Sequence, residues 1–244
     1  MEFKKGIEIL PLGVRIWGNA MTIHPVLLYD DQEATLVDAG MPDQEEELLG
    51  ALGRLGLSRE RLKRLILTHQ DLDHIGAAGA LKAATGAKVL AHREDAPYIQ
   101  GERRLIKFEP ERARARLEAL APEARAAMER LLQDLPRVAV DQALEGGEEL
   151  PHHGGIVVIP TPGHTPGHIS LYLKAHRLLI AGDAMRVEGG ELLGPNPANT
   201  LDVPRAEASL RNLLPYDIDY VLCYHGGLYG PGASRRIEEL AAGA

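Results

Sequence analysis

Four apolar runs in this 244-residue chain each stop at a His or Asp, or at a short turn that leads to one. Leu65-Ile66-Leu67-Thr68 runs straight into His69. Ile156-Val157-Val158-Ile159 passes through Pro160, Pro162 and Gly163 to His164. Leu178-Leu179-Ile180-Ala181-Gly182 ends at Asp183, and Tyr220-Val221-Leu222-Cys223 leads through Tyr224 to His225. Short apolar runs bounded in this way read as buried strands. In an α/β protein the carboxyl ends of such strands gather on one edge of the sheet, where loops carry chemistry. Four ends of this kind can build one site.

The segment His69-Gln70-Asp71-Leu72-Asp73-His74 sharpens that inference, because it packs four metal-binding side chains into six residues behind a buried strand. Buried His and Asp cost free energy unless each finds a hydrogen-bond or metal partner. A cation satisfies several such acceptors at once.

Charged residues at 25% and hydrophobic ones at 45% are ordinary globular usage, so disordered and low-complexity classes are set aside. A chain of this length can bury one core, and no Gly-, Ser- or Pro-rich linker divides it, so 1–244 is expected to form a single domain. The formal net charge of −8 argues against nucleic acid as a partner, and a small-molecule substrate is expected. One cysteine, Cys223, excludes an intrachain disulfide and reads as a small core residue. No run is apolar enough for a signal peptide or a membrane span, and the cytoplasm is the expected compartment. The oligomeric state is left open.

Periodicity and turn residues give strands over 7–10, 26–29, 34–37, 65–68, 88–91, 138–140, 156–159, 169–173, 178–181 and 218–224. Helices are expected over 43–55, with Asp43 as N-cap and Gly56 as stop, over 75–84 closed by Gly86, over 204–214 and over 233–242. His74 is placed at or just before the second of these. An insertion around 101–136, rich in Ala, Arg, Leu and Glu, reads as two helices separated at Pro122. A solvated hairpin is preferred for it over a lid on the site.

Asp38 after a strand, His69-x-Asp71-x-Asp73-His74, His164 within Thr161-Pro162-Gly163-His164-Thr165, Gly182-Asp183 and the late His225 stand in an order that resembles the metallo-β-lactamase superfamily. The resemblance implies an αββα sandwich with a metal site at the sheet edges and two divalent ions as cofactors. It implies His69, Asp71 and His164 on one ion, Asp73, His74 and His225 on the other, and Asp183 bridging them. Asp38 would prop the ligand loop without binding metal.

Asp71 departs from the family pattern, where most members carry a second histidine. Two divalent ions, three carboxylates and a bridging hydroxide then sum to zero charge, so a weaker Lewis acid is expected than in the histidine version. Zinc is the expected metal. The added carboxylate makes iron or manganese competitive at the first position.

The expected chemistry is metal-assisted hydrolysis. A metal-bound hydroxide would attack an ester, lactone or thioester carbonyl, with Asp73 binding metal and orienting the nucleophile. No Gly-x-Ser-x-Gly elbow or reactive-cysteine arrangement competes. Lactones and other small acyl esters are the broadest fit, and glutathione thioesters rank lower because little chain follows His225. Iron-dependent oxidoreductases of the sulfur dioxygenase or diiron type, and the phosphodiesterase and nuclease branch, are the alternatives within the superfamily. His168 reads as a hydrogen-bonding neighbour of the site or a structural residue. His24, His92, His152, His153 and His176 are expected in surface or structural roles.

Overall fold

Alternation within the strands decides how the layers stack. Val26, Leu28, Val37, Ile66 and Leu90 point one way and join Ile156, Val158, Leu171, Leu173, Ile180 and Leu222 in a core between two sheets. Leu27, Leu36, Leu65, Leu67 and Val89, one residue out of phase, pack on Leu48, Leu52 and Leu81 of the covering helices Glu45–Arg54 and Ala78–Thr85. Across the molecule, Ile159, Leu179, Ala181, Val221 and Cys223 meet Leu210, Leu213, Ala233 and Ile237. The result is helix on sheet on sheet on helix, the expected αββα sandwich. The computed structural model describes residues 2–16 and 18–243.

One sheet has seven strands in the order Glu2–Lys4, Ile7–Ile9, Val26–Tyr29, Ala34–Val37, Leu62–Leu67, Lys88–His92 and Gln142–Leu144. The other has six, in the order Glu149–Leu150, Ile156–Pro160, Ile169–Leu173, Leu178–Gly182, Tyr220–Cys223 and Gly227–Tyr229. Ala34–Val37, Leu62–Leu67 and Lys88–His92 are parallel. Ile156–Pro160 and Leu178–Gly182 are each antiparallel to Ile169–Leu173, and Leu178–Gly182 is parallel to Tyr220–Cys223. Ile156–Pro160, Leu178–Gly182 and Tyr220–Cys223 therefore run the same way and end at the same edge. The Ile169 N–H donates to Thr68 O at 3.0 Å and ties the two sheets together there.

Several local expectations are corrected. The first helix spans Glu45–Arg54, and Asp43 does not cap it: its φ is +66°, and Gln44 instead turns its Oε1 back to the Met41 N–H at 2.9 Å. The expected helix over 75–84 is two pieces, Leu72–Ile75 and Ala78–Thr85, so His74 lies inside a short helical turn whose N-cap position is Asp71. Residues 138–140 form no strand. Val138 and Val140 spend their N–H groups on Ile99 O and Gln100 Oε1, and pairing begins only at Gln142–Leu144. The hairpin Leu12–Ile16 with Asn19–Ile23 was not anticipated, being short and exposed on one side.

The insertion does form two helices, Pro110–Glu118 and Pro122–Leu131, each with proline in its first turn. It is not a detached solvated hairpin, because Phe108, Ala113 and Met128 are buried. Among the described residues no helix is long and apolar enough to cross a membrane.

Candidate metal centre

Asp38, the first residue after Ala34–Val37, takes a left-handed φ of +61°, which a non-glycine residue holds only when its surroundings fix it. Its Oδ1 accepts the Thr68 N–H at 2.8 Å, and its Oδ2 accepts the Thr68 hydroxyl at 2.9 Å and faces His74 Nδ1 at 2.9 Å. The Ala39 N–H donates to His74 O at 2.7 Å. A Cβ on Gly76 would lie 2.3 Å from Met41 C, so only glycine lets this loop close on the ligand turn. Asp38 thus orients His74 and braces the segment that carries His69, the propping role expected of it.

A second buried carboxylate, Asp95, braces the opposite side. Its Oδ2 accepts the Gln70 N–H at 3.0 Å and the Thr165 hydroxyl at 2.7 Å, while Oδ1 accepts the Gly167 N–H at 2.8 Å. One side chain so fastens the loop of Asp71 to the loop of His164. Burial raises the pKa of Asp95, and the hydrogen bonds from Thr165, Gly167 and Gln70 pull against it. His168 Nε2 accepts the Asp183 N–H at 2.9 Å, leaving Nδ1 to donate to Thr161 Oγ1 at 2.8 Å. Burial, then the neighbouring imidazoles of His69 and His164, hold His168 well below its usual pKa and neutral.

These supports bring all seven expected side chains together. His69, Asp71, His164 and Asp183 each offer a donor atom within 4.8 Å of the others, and so do Asp73, His74 and His225. Asp71 Oδ2 lies 3.2 Å from His69 Nε2 and 2.9 Å from His164 Nε2. Asp73 Oδ2 lies 3.3 Å from His225 Nε2 and 3.8 Å from His74 Nε2. Asp183 stands between the two sets, 3.2 Å from His164, 3.4 Å from His74 and 3.5 Å from His225. Among the described residues, His69 Nε2, His74 Nε2 and Asp183 Oδ1 are buried without a hydrogen-bond partner. Buried polar atoms are rarely left so, and three converging orphans of donor type fit a cation.

The electrostatics agree. Burial alone would raise Asp71, Asp73 and Asp183, yet each is held below the ordinary carboxylate value, Asp71 by Lys107 and His69, Asp73 by His74 and His225, Asp183 by His225 and His74. Burial opposes protonation of His225, but Asp183 and Asp73 push its pKa up to about 10. His74 is raised well above its usual value against the same penalty by Asp38, Asp183 and Asp73. His164 goes the other way, to about 4, through burial and the Lys107 charge. The carboxylates are in the state that binds metal, and protons on His74 and His225 stand in for positive charge.

Three residues at the site have no signal in the motif. Tyr224 stacks on His74 with ring centroids 3.8 Å apart and donates to Asp73 O at 2.5 Å. Asp95 reads as an ordinary turn residue. Lys107, from the insertion, contacts Asp71 Oδ2 and lies 2.8 Å from His164 Nε2. The insertion also contributes Phe108, Arg116 and Met128 to a cavity of about 500 Å³ whose floor is Asp71, Asp73, Asp183 and His225. The preference for a solvated hairpin is therefore corrected: this segment walls the site. His24 is drawn in as well, lining the cavity with Nδ1 3.0 Å from Tyr224 O. His152 and His153 lie elsewhere, paired with Glu33 and Asp30, as structural residues. Cys223 is buried, and burial pushes its thiol pKa up, as suits a core residue.

Residues 20–225 match the family model described as the metallo-β-lactamase superfamily. The chain is similar to the uncharacterized protein YobT of Bacillus subtilis, 32% identical over 67% of this chain and 62% of that one, so it spans less than two thirds of that relative's length. It is 29% identical to the hydroxyacylglutathione hydrolase GloC of Haemophilus influenzae, over 91% of both chains. Among solved structures, the metallo-β-lactamase family protein TTHA1429 of Thermus thermophilus superposes with a TM-score of 0.72 at 26% identity, over 99% of this chain and 80% of that one.

Proposed function

Because the chain belongs to the metallo-β-lactamase superfamily, we propose that it is a metal-dependent hydrolase that cleaves an ester, lactone or thioester bond of a small substrate. The observation that carries this reading is the pair of donor sets that share Asp183 on the floor of a cavity, with three buried donor atoms left unpartnered. His69, Asp71 and His164 would form one ligand set and Asp73, His74 and His225 the other, with Asp183 common to both. Zinc is the metal we assign, since four of the seven donors are imidazoles; the three carboxylates leave room for iron or manganese. Bound divalent metal supplies Lewis acidity and a water acidified toward neutral pH.

The chain's own residues supply position and exclusion. Asp73, which lines the cavity beside His225, orients the attacking water by accepting its proton in a hydrogen bond. Asp38 and Asp95 hold the ligand loops so that no reorganisation is needed during turnover. Met21, Met41, Met128 and Met185, with Phe108, give the cavity a flexible apolar wall suited to an acyl group rather than a phosphodiester. Arg116 reaches from the insertion to Ala198 O and Asn199 Oδ1 and keeps that wall in place. The likeness to the hydroxyacylglutathione hydrolase GloC, over 91% of both chains, supports thioesters even though little chain follows His225. S-acyl thioesters therefore stand beside lactones and simple esters.

The test is a panel of esters, lactones, S-acylglutathiones and phosphodiesters, assayed after reconstitution with zinc, manganese or iron. Chelator-reversible turnover confined to acyl substrates is expected. Phosphodiester cleavage outpacing every acyl substrate, or oxygen consumption by an iron-loaded form without hydrolysis, would overturn the reading.

A further inference from the structure

We propose that Lys107 is a built-in cation of the first ligand set, so that the chain binds one divalent ion tightly, at Asp73, His74, His225 and Asp183, and takes a second only in competition with this ammonium. The proposal rests on the metal-dependent reading above and concerns how many ions that reading requires.

Lys107 Nζ contacts Asp71 Oδ2 and lies 2.8 Å from His164 Nε2, which puts a positive charge among the donors of that set. It is not a surface lysine that happens to fold inward. Its side chain is only 11% exposed, and the turn Ile106–Phe108 that carries it is fastened on both sides. The Ile106 N–H donates to Gln70 Oε1 at 2.9 Å, and Gln70 is itself held by Asp95. Arg104 clamps the other side, donating to Phe108 O at 2.8 Å and Leu132 O at 2.9 Å, while Phe108 is buried. Gln70, the residue between His69 and Asp71, thus ties the lysine turn directly to the ligand segment.

Charge makes the arrangement self-consistent. Asp71, Asp73 and Asp183 bring three negative charges, and one ammonium with one divalent ion brings three positive ones. A second divalent ion would have to enter within contact distance of the ammonium, or displace it from a fixed turn. The carboxylate at position 71 gains its reason here. A neutral histidine would leave Lys107 facing imidazoles alone, whereas Asp71 gives it a partner, so the departure from the family motif and the lysine are two halves of one feature. No equivalent cation touches Asp73 or His225 among the described contacts of the second set.

Zinc titrated into the chelator-stripped full-length chain, followed by native mass spectrometry and calorimetry, tests this without reference to turnover. For the wild type, one ion per chain is expected to saturate before a second binds, the second being weaker by on the order of 100-fold or more. Lys107→Met, which removes the charge and keeps the length of the stem, and Lys107→Gln, a shorter neutral polar side chain, are expected to tighten the second ion at least about tenfold while leaving the first nearly unchanged. Two ions of similar affinity in the wild type, or a stepwise wild-type profile that neither variant alters, would overturn the proposal. If the variants fail to fold, the wild-type profile alone decides. A chain that binds no zinc at all would defeat the metal-dependent reading itself, a different outcome from either.

Discussion

The two candidate ligand sets on either side of Asp183 are built from similar donors but are neutralised differently. His69, Asp71 and His164 face a lysine ammonium and leave His164 neutral, with its pKa near 4, whereas Asp73, His74 and His225 have no such cation and instead raise the pKa of His225 to about 10. One set carries its positive charge on a side chain fixed by the fold, and the other draws it from protons that a metal can displace. Similar acceptors are therefore met by a lysine ammonium on one side and by protonated imidazoles on the other.

The variant with the largest expected effect removes what the two sets share. Asp183→Asn should abolish tight zinc binding and lower chelator-sensitive turnover by on the order of 10³-fold, since several kcal/mol of charge stabilisation are lost. Preserved stoichiometry in that variant would show that Asp183 belongs to neither set. A sharper probe is Asp38→Asn, which alters the partner of His74 Nδ1 directly and reaches the His69 segment only through Thr68. Zinc affinity at the tight site should drop by about 10- to 100-fold, with a smaller fall at the weaker site. An equal fall at both would erase the distinction between the sets.

Acidity offers a milder test. His225 carries a folded pKa of about 10 against an ordinary 6.5, so its protonated form stabilises the metal-free fold fully below pH 6.5, and that contribution is lost as pH climbs toward 10. Zinc needs the neutral imidazole, so its affinity should rise by up to about tenfold per pH unit across the same window, with proton release seen by calorimetry in two buffers. No proton release would contradict the assignment of His225 to the open set. The smallest effect is expected from Thr165→Val, which takes one hydrogen bond from Asp95 and should cost about 1–2 kcal/mol in denaturant unfolding, with the zinc stoichiometry unchanged.

The distribution of effects follows what could be read along the chain. His69, His164, Asp183 and His225 were legible because each follows an apolar strand, and a sheet brings such ends to one edge; His74 was legible because it shares a six-residue cluster with His69. The sandwich was legible for the same reason, through runs such as Leu65 to Leu67 in which alternate residues feed two different cores. Lys107 was not legible: it is one lysine in a charged insertion, and only the anchoring of its turn on Gln70 makes it part of the site. Asp95 was missed because its partners lie 25, 70 and 72 residues away along the chain. The N-cap assigned to Asp43 failed because the neighbouring Gln44 closes the turn on Met41, and the strand assigned to 138–140 failed because its N–H groups go to Ile99 and Gln100 instead.

The most direct measurement is an anomalous scattering map at the zinc edge from crystals grown with one equivalent of the metal. The expected map has a single strong peak bonded to Asp73, His74, His225 and Asp183, with the Lys107 ammonium still on Asp71 and His164. Two peaks of equal height flanking Asp183, or none among these side chains, would contradict it.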